Sequence, residues 1–143
     1  MTAIDTPSSI FKTLGKGMQP DARQYWLFQT TGWSAMALLS YLSLTVWYNP
    51  GQLTPILHTI LQSELGVFVS HPLRWVASGT WNISLLPRVL INGAAVLVAS
   101  LVWTLLRVYS FMWLTGEIIP LSDWGGWMFA SVIVFGAWAF CYH

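Results

Sequence analysis

Four apolar runs dominate the chain: Trp26 to Trp47, Leu53 to His71, Val89 to Trp113 and Trp124 to Tyr142. Each is close to the ~20 residues that a helix needs to cross a hydrocarbon core about 30 Å thick. The breaks between them are turn-formers. Asn49-Pro50-Gly51 separates the first two runs, Pro72 follows the second, Pro87 opens the third, and Pro120 lies between the third and fourth. Pro55 falls in the first turn of the second run, where a missing N–H is tolerated. The pattern predicts an all-α integral membrane fold: a four-transmembrane-helix bundle over 25–143, preceded by a polar arm over 1–24. The connector from Arg74 to Leu86 reads as a loop or a short interfacial helix around Trp75 and Trp81.

Composition agrees with this reading. Of 143 residues, 55% are hydrophobic and 8% charged, where a soluble domain carries about a quarter charged residues. Four spans leave no stretch of the roughly 50 residues that a separate soluble domain requires. With a net charge of +1 and no concentrated Lys/Arg patch, nucleic acid is not expected as a partner. Cys141 is single, so no intrachain disulfide is available. Asp5, Lys12, Lys16, Asp21 and Arg23 precede the first run without a cleavable-signal pattern. Ile10, Phe11 and Leu14 beside Lys12 and Lys16 offer a surface anchor on anionic lipid, the alternative being an unstructured arm.

Basic residues near span ends set the orientation. Lys12, Lys16 and Arg23 precede the first helix, and Arg74 and Arg88 flank the connector after the second. Both termini are therefore expected on the cytoplasmic side of a bacterial inner membrane, cytoplasmic or intracytoplasmic, with Arg107 the one discordant cation. Trp26, Trp47, Tyr48, Trp75, Trp113, Trp124 and Tyr142 fall at or near span ends, as interfacial belt residues do. Trp33 and Trp103 lie deeper and are expected to pack between helices, where the indole N–H finds an acceptor.

The second run holds the chain's anomaly. At 100° per residue, His58, Thr59, Gln62, Gly66 and Ser70 gather on one side, and Leu57, Ile60, Leu61, Phe68 and His71 on the other. Glu64 falls within the apolar set. Polar residues turn toward a bundle interior, so this carboxylate would face lipid at a cost of several kcal/mol. The helix is thus expected to need protein contacts on both faces. One expectation is an intramembrane pair with Arg107, whose depth on the third helix is within reach of a long side chain. The other is a neutral Glu64 hydrogen-bonded to Gln29, Trp33 or nearby Ser/Thr, with Arg107 snorkelling alone.

Other chemistry is sparse. His58 with Gln62 at i, i+4 is where a tetrapyrrole or metal could be held, but one His lacks a second ligand, and neither a cofactor nor a metal is expected. His71 and Arg74 are expected to complement the C-terminal end of the second helix or to meet lipid phosphate. Gly93, Ala95, Ala99 and Ser100 on the third helix, and Ser131, Gly136 and Ala139 on the fourth, suit close helix packing. No nucleophile–base pair, phosphate loop or carboxylate dyad is present, so catalysis is not expected.

Two local strings resemble a known family. Tyr25-Trp26-Leu27-Phe28-Gln29, followed by Gly32-Trp33, resembles the opening of the membrane-sensor half of LytS/AlgZ-type sensor histidine kinases. Ser70-His71-Pro72-Leu73-Arg74 is similar to that family's Ser-His-x-x-Arg signature, and Trp138 and Tyr142 fall where its last helix carries aromatic residues. The resemblance implies a four-helix input domain with both termini inside, often dimeric. The chain contains no phosphoacceptor motif and no nucleotide-binding motif, so kinase activity is not carried over.

Three functions follow as expectations. The first is a non-catalytic membrane subunit, built on a sensor scaffold, that packs against other membrane proteins or a second copy in a larger assembly, photosynthetic or respiratory, with membrane lipids around it. The second is a sensory input module signalling to a kinase or regulator in trans. The third is a small proton-linked carrier using Glu64.

Overall fold

The computed structural model describes residues 22–47 and 50–142. Readings that fall on the N-terminal arm, on Tyr48 and on the side chain of Trp47 lie outside the described residues. The described chain is helical: α1 (Ala22–Ser40) runs on as a π-helical segment (Tyr41–Trp47), followed by α2 (Leu53–Gly79), α3 (Leu85–Thr115), a 3-10 turn (Leu121–Asp123) and α4 (Trp124–Tyr142).

The turns follow from local chemistry. Gly51, directly after Pro50, has φ 82°, the left-handed conformation that a type II turn needs after its proline. At the other hairpin Gly116 adopts φ 73° and donates its N–H to the Met112 carbonyl at 2.9 Å, an αL cap that ends α3.

α2 extends beyond its expected end. It continues through Pro72 to Gly79, so the first part of the connector, read as a loop or a short separate interfacial helix, is a continuation of α2. Pro72 deprives one carbonyl of its helical donor, while Ser70 Oγ donates to the neighbouring Val67 carbonyl at 3.1 Å. Burial of Leu73 and Ala77 against the core then holds the last turns. The helix stops at Thr80, whose hydroxyl donates to the carbonyls of Val76 and Ala77 and accepts from Asn92 Nδ2 at 2.7 Å, tying the end of α2 to α3.

Packing is sequential, α1 on α2, α2 on α3 and α3 on α4, with a smaller diagonal contact between α2 and α4. Between α1 and α4 the backbones stand apart, and side chains fill the gap. Trp33 meets Trp103 and Phe135 at ring-centroid distances of 5.4 and 5.9 Å, Trp103 meets Phe135 at 5.4 Å, and Phe28 meets Trp138 at 6.1 Å. Trp33 fits only because Gly66 faces it: a methyl group there would overlap the six-membered ring.

The interior is as polar as it is apolar. Gln29, His58, Thr59, Gln62, Ser63, Ser70, Ser100, Thr104 and Ser131 are buried, while Leu39, Phe68, Leu90, Val98, Trp113 and Phe140 are exposed. This inverts the usual soluble pattern, in which buried polar groups are the exception. α3, and α4 with the turn before it (Leu121–Tyr142), are long and apolar enough to cross a membrane. α1 and α2 carry more polar residues, Gln29 and Ser40 on one and His58, Gln62, Glu64 and Arg74 on the other, of which Gln29, His58 and Gln62 are buried.

Two packing expectations are corrected. Gly93 is exposed with open space over its Cα, whereas Ala99 is buried and Ala95 packs at its edge. The reason is phase: 93 lies about 60° around the helix from 96 and about 120° from 99, at the margin of the face that Val96, Ala99 and Trp103 turn inward. Tyr142, expected in an interfacial belt, is buried, stacked on Trp138 at 5.1 Å and edge-on to Tyr25 at 6.0 Å. Trp26, Trp75 and Trp113 are exposed.

Candidate functional site

Tyr25, Gln29 and Trp33 recur every four residues, which places them on one face of α1, and all three are buried. Opposite them α2 presents Ser70 and His71. The Gln29 amide lies at the centre. Its Nε2 donates to Tyr25 Oη at 2.7 Å and to Ser70 Oγ at 2.9 Å. Its Oε1 accepts from the indoles of Trp33 at 3.0 Å and Trp138 at 3.1 Å. Tyr25 Oη also pairs with His71 Nδ1 at 2.9 Å, and Arg74 places its guanidinium 4.3 Å from the Tyr25 ring centroid. Three helices thus converge on one amide.

His71 and Arg74 therefore do not act at a helix end. α2 runs past both, and each turns to Tyr25 instead. Trp26 stacks on the outer side of the His71 ring at 5.8 Å, and Trp75 closes it edge-on at 5.3 Å.

A second polar layer lies toward the opposite end of the bundle. Trp103, Arg107 and Phe111 follow one another at i, i+4 and i+8 on α3, facing His58 and Gln62 of α2. Arg107 Nε donates to Gln62 Oε1 at 3.1 Å, and Trp103 Nε1 donates to the Gln62 carbonyl at 2.9 Å. The guanidinium lies between two indoles, 4.3 Å from the Trp103 centroid and 5.0 Å from that of Trp127. His58 is edge-on to Phe111 at 5.3 Å and to Trp127 at 6.0 Å. Neither Trp127 nor Phe111 was expected here; the four-residue spacing of Trp103, Arg107 and Phe111 was the available signal.

The expected Glu64–Arg107 pair does not form. α3 packs on the α2 face that carries His58 and Gln62, and two residues further along the chain rotate the side chain by about 200°, away from α3. Nor does Glu64 join Gln29 and Trp33, whose polar atoms are taken by each other, Tyr25, Ser70 and Trp138. Glu64 is instead exposed in a cleft of about 300 Å³ between α1 and α2, beside Thr30, Ser34 and Ser63 and walled by Trp26 and Ile60.

The inner and outer faces of α2 otherwise follow the helical wheel, except that Leu61 and His71 of its outer set are half-buried and His71 bonds Tyr25. His58, Thr59, Gln62, Gly66 and Ser70 are buried, and Leu57, Ile60 and Phe68 are exposed. No group of three or more His, Cys, Asp or Glu placed to hold a metal occurs among the described residues. Compared with known proteins, the chain matches no family model, no curated protein and no solved structure.

Proposed function

We propose that this chain is a non-catalytic four-span membrane subunit, both termini on the cytoplasmic side of a bacterial inner membrane, that binds another membrane protein through its α1–α2 face. The observation that carries the reading is Glu64. It is exposed, has no ion pair among the described residues, and sits roughly 16 Å along α2 from Leu53, near mid-depth of a helix of 27 residues. A carboxylate facing lipid at that depth costs several kcal/mol, and a donor from a neighbouring helix removes the cost. Thr30, Ser34 and Ser63 supply further hydroxyls around it, and interhelical contacts in membranes favour such small polar residues.

A second reading is a sensory input module. It draws support from the Gln29 layer, because the strings that resemble LytS/AlgZ-type sensors, Tyr25 to Gln29, Trp33, Ser70 to Arg74, Trp138 and Tyr142, meet there in space. In that reading the layer links a change in α1 and α2 to the end of α4.

Purification of the native protein in mild detergent tests the first reading. The chain is expected to elute with other membrane polypeptides in fixed stoichiometry, and Glu64→Leu is expected to release it while leaving its own melting temperature unchanged. Elution of both forms as free monomers would overturn the proposal.

A further inference from the structure

In the cleft that holds Glu64, acceptors outnumber donors. Gln29, Trp33 and Ser63 form its buried inner wall. Each has already committed its protons. The two N–H groups of the Gln29 amide go to Tyr25 and Ser70, the Trp33 indole goes to Gln29 Oε1, and the Ser63 hydroxyl goes to the Thr59 carbonyl at 2.9 Å. Toward the cleft Ser63 can therefore only accept. Glu64 adds two oxygens that, when ionised, only accept as well. A group that completes such a site brings several donors and no acceptor, which describes an ammonium or a guanidinium. A hydroxyl or carboxamide would bring an acceptor that the inner wall has no proton left to meet.

The shape of the opening points to what carries that cation. Thr30, Ser34 and Ala37 follow the rim along α1, and Ile60, Glu64 and Val67 follow it along α2, both at helical spacing. The cleft is thus a groove between two helix faces, with small residues on the α1 side that let a third helix approach closely.

A second copy of this chain does not supply the cation. Arg74 lies roughly 15 Å further along α2 than Glu64 and is engaged with the Tyr25 ring. Arg23 lies roughly 16 Å along α1 from Ser34. Arg88, in the first turns of α3, follows the end of α2. Arg107 is near the right depth but turns inward, bonded to Gln62 and held between Trp103 and Trp127. Among the described residues, two copies joined at this groove would bring carboxylate to carboxylate.

We propose that the groove receives a transmembrane helix of a different protein, one that carries a Lys or Arg near mid-depth and pairs it with Glu64. The inference rests on the reading of the α1–α2 face as a partner surface, and adds the partner's charge, its depth and its difference from this chain.

The test uses the purified full chain in lipid vesicles. The probes are dye-labelled, tryptophan-free apolar helices of about 22 residues, long enough to span, identical except for Lys, Arg, Gln, Leu or Glu at the centre. Energy transfer from the tryptophans of the chain to the dye reports association. The Lys or the Arg helix is expected to bind about tenfold or more tightly than the Gln and Leu helices, the effect of one charge-assisted contact. Glu64→Gln is expected to abolish that preference with the melting temperature unchanged. Glu64→Lys is expected to transfer the preference to the Glu helix, and Glu64→Gln decides alone if that variant does not fold. Equal binding of the basic and Leu helices, or a preference that survives in Glu64→Gln, overturns the proposal. So does a Glu64-dependent dimer of the chain alone, seen as energy transfer between two labelled copies. Native co-elution that Glu64→Leu abolishes, without any preference for a basic helix, overturns this inference and leaves the partner-binding reading standing.

Discussion

Trp138 donates its indole N–H to Gln29 across 109 residues of sequence, at 3.1 Å, and shares that amide oxygen with Trp33. One side chain on α1 therefore satisfies two buried indoles and holds α4 to a helix whose backbone it does not approach. Gln29→Leu is expected to destabilise the bundle by roughly 2 kcal/mol, taking about 0.6 kcal/mol for each of its four buried polar contacts, the size found between packed helices in apolar surroundings. Equilibrium unfolding in mixed micelles measures this, with a change in tryptophan emission marking release of the two indoles.

Gly66 is the close-approach point between α1 and α2. Gly66→Ala forces the Trp33 ring off its position, and Trp33 cannot retreat without disturbing Trp103 and Phe135. A loss of about 1–3 kcal/mol, typical of overpacking, is expected. Gly93→Ala and Gly136→Ala, where open space awaits the methyl group, serve as controls and are expected to be neutral or stabilising by up to about 1 kcal/mol.

Arg107 is held as a plane between two indoles. Arg107→Lys keeps the charge but loses the flat surface and the fixed Nε donor to Gln62, so it is expected to lower the melting temperature nearly as far as Arg107→Met. In a double-mutant cycle with Gln62→Leu, a coupling of about 0.5–1.5 kcal/mol is expected.

Tyr25 and His71 form the outermost contact of the Gln29 layer. Tyr25→Phe removes the hydroxyl that meets both His71 and Gln29 but leaves the ring under Arg74. Its cost is expected to be about 1 kcal/mol, and His71→Ala in that background is expected to add less than it does alone. Melting temperatures of the four proteins of the cycle decide this.

Much of the fold is legible in the sequence because membrane-length apolar runs and their Pro and Gly breaks are strong, local signals. The inner face of α2 is legible for the same reason. In so apolar a chain, five polar or small residues at helical spacing mark an interior. Depth alone misleads, however. Glu64 and Arg107 lie at compatible heights, but rotation about the helix axis assigns the guanidinium to Gln62, and periodicity within one helix does not reveal which face its neighbour covers. Pro72 misleads differently, since a proline reads as a stop although packing of Leu73 and Ala77 can outweigh one lost hydrogen bond. Tyr142 has the sequence position of an interfacial residue, and only the convergence of α1 and α4 shows that its ring is covered.

That convergence makes the four seams of the bundle unequal. Three are closed by backbone proximity, and resist opening as rigid packed surfaces do. The seam between α1 and α4 has no Cα pair within 8 Å among the described residues, and is closed by rings and a single amide. It is a zipper of side chains. Parting α1 from α4 takes rearrangement of side chains alone, the Gln29 amide and the rings of Tyr25, Phe28, Trp33, Phe135, Trp138 and Tyr142, whereas every other seam also has backbone packing to break.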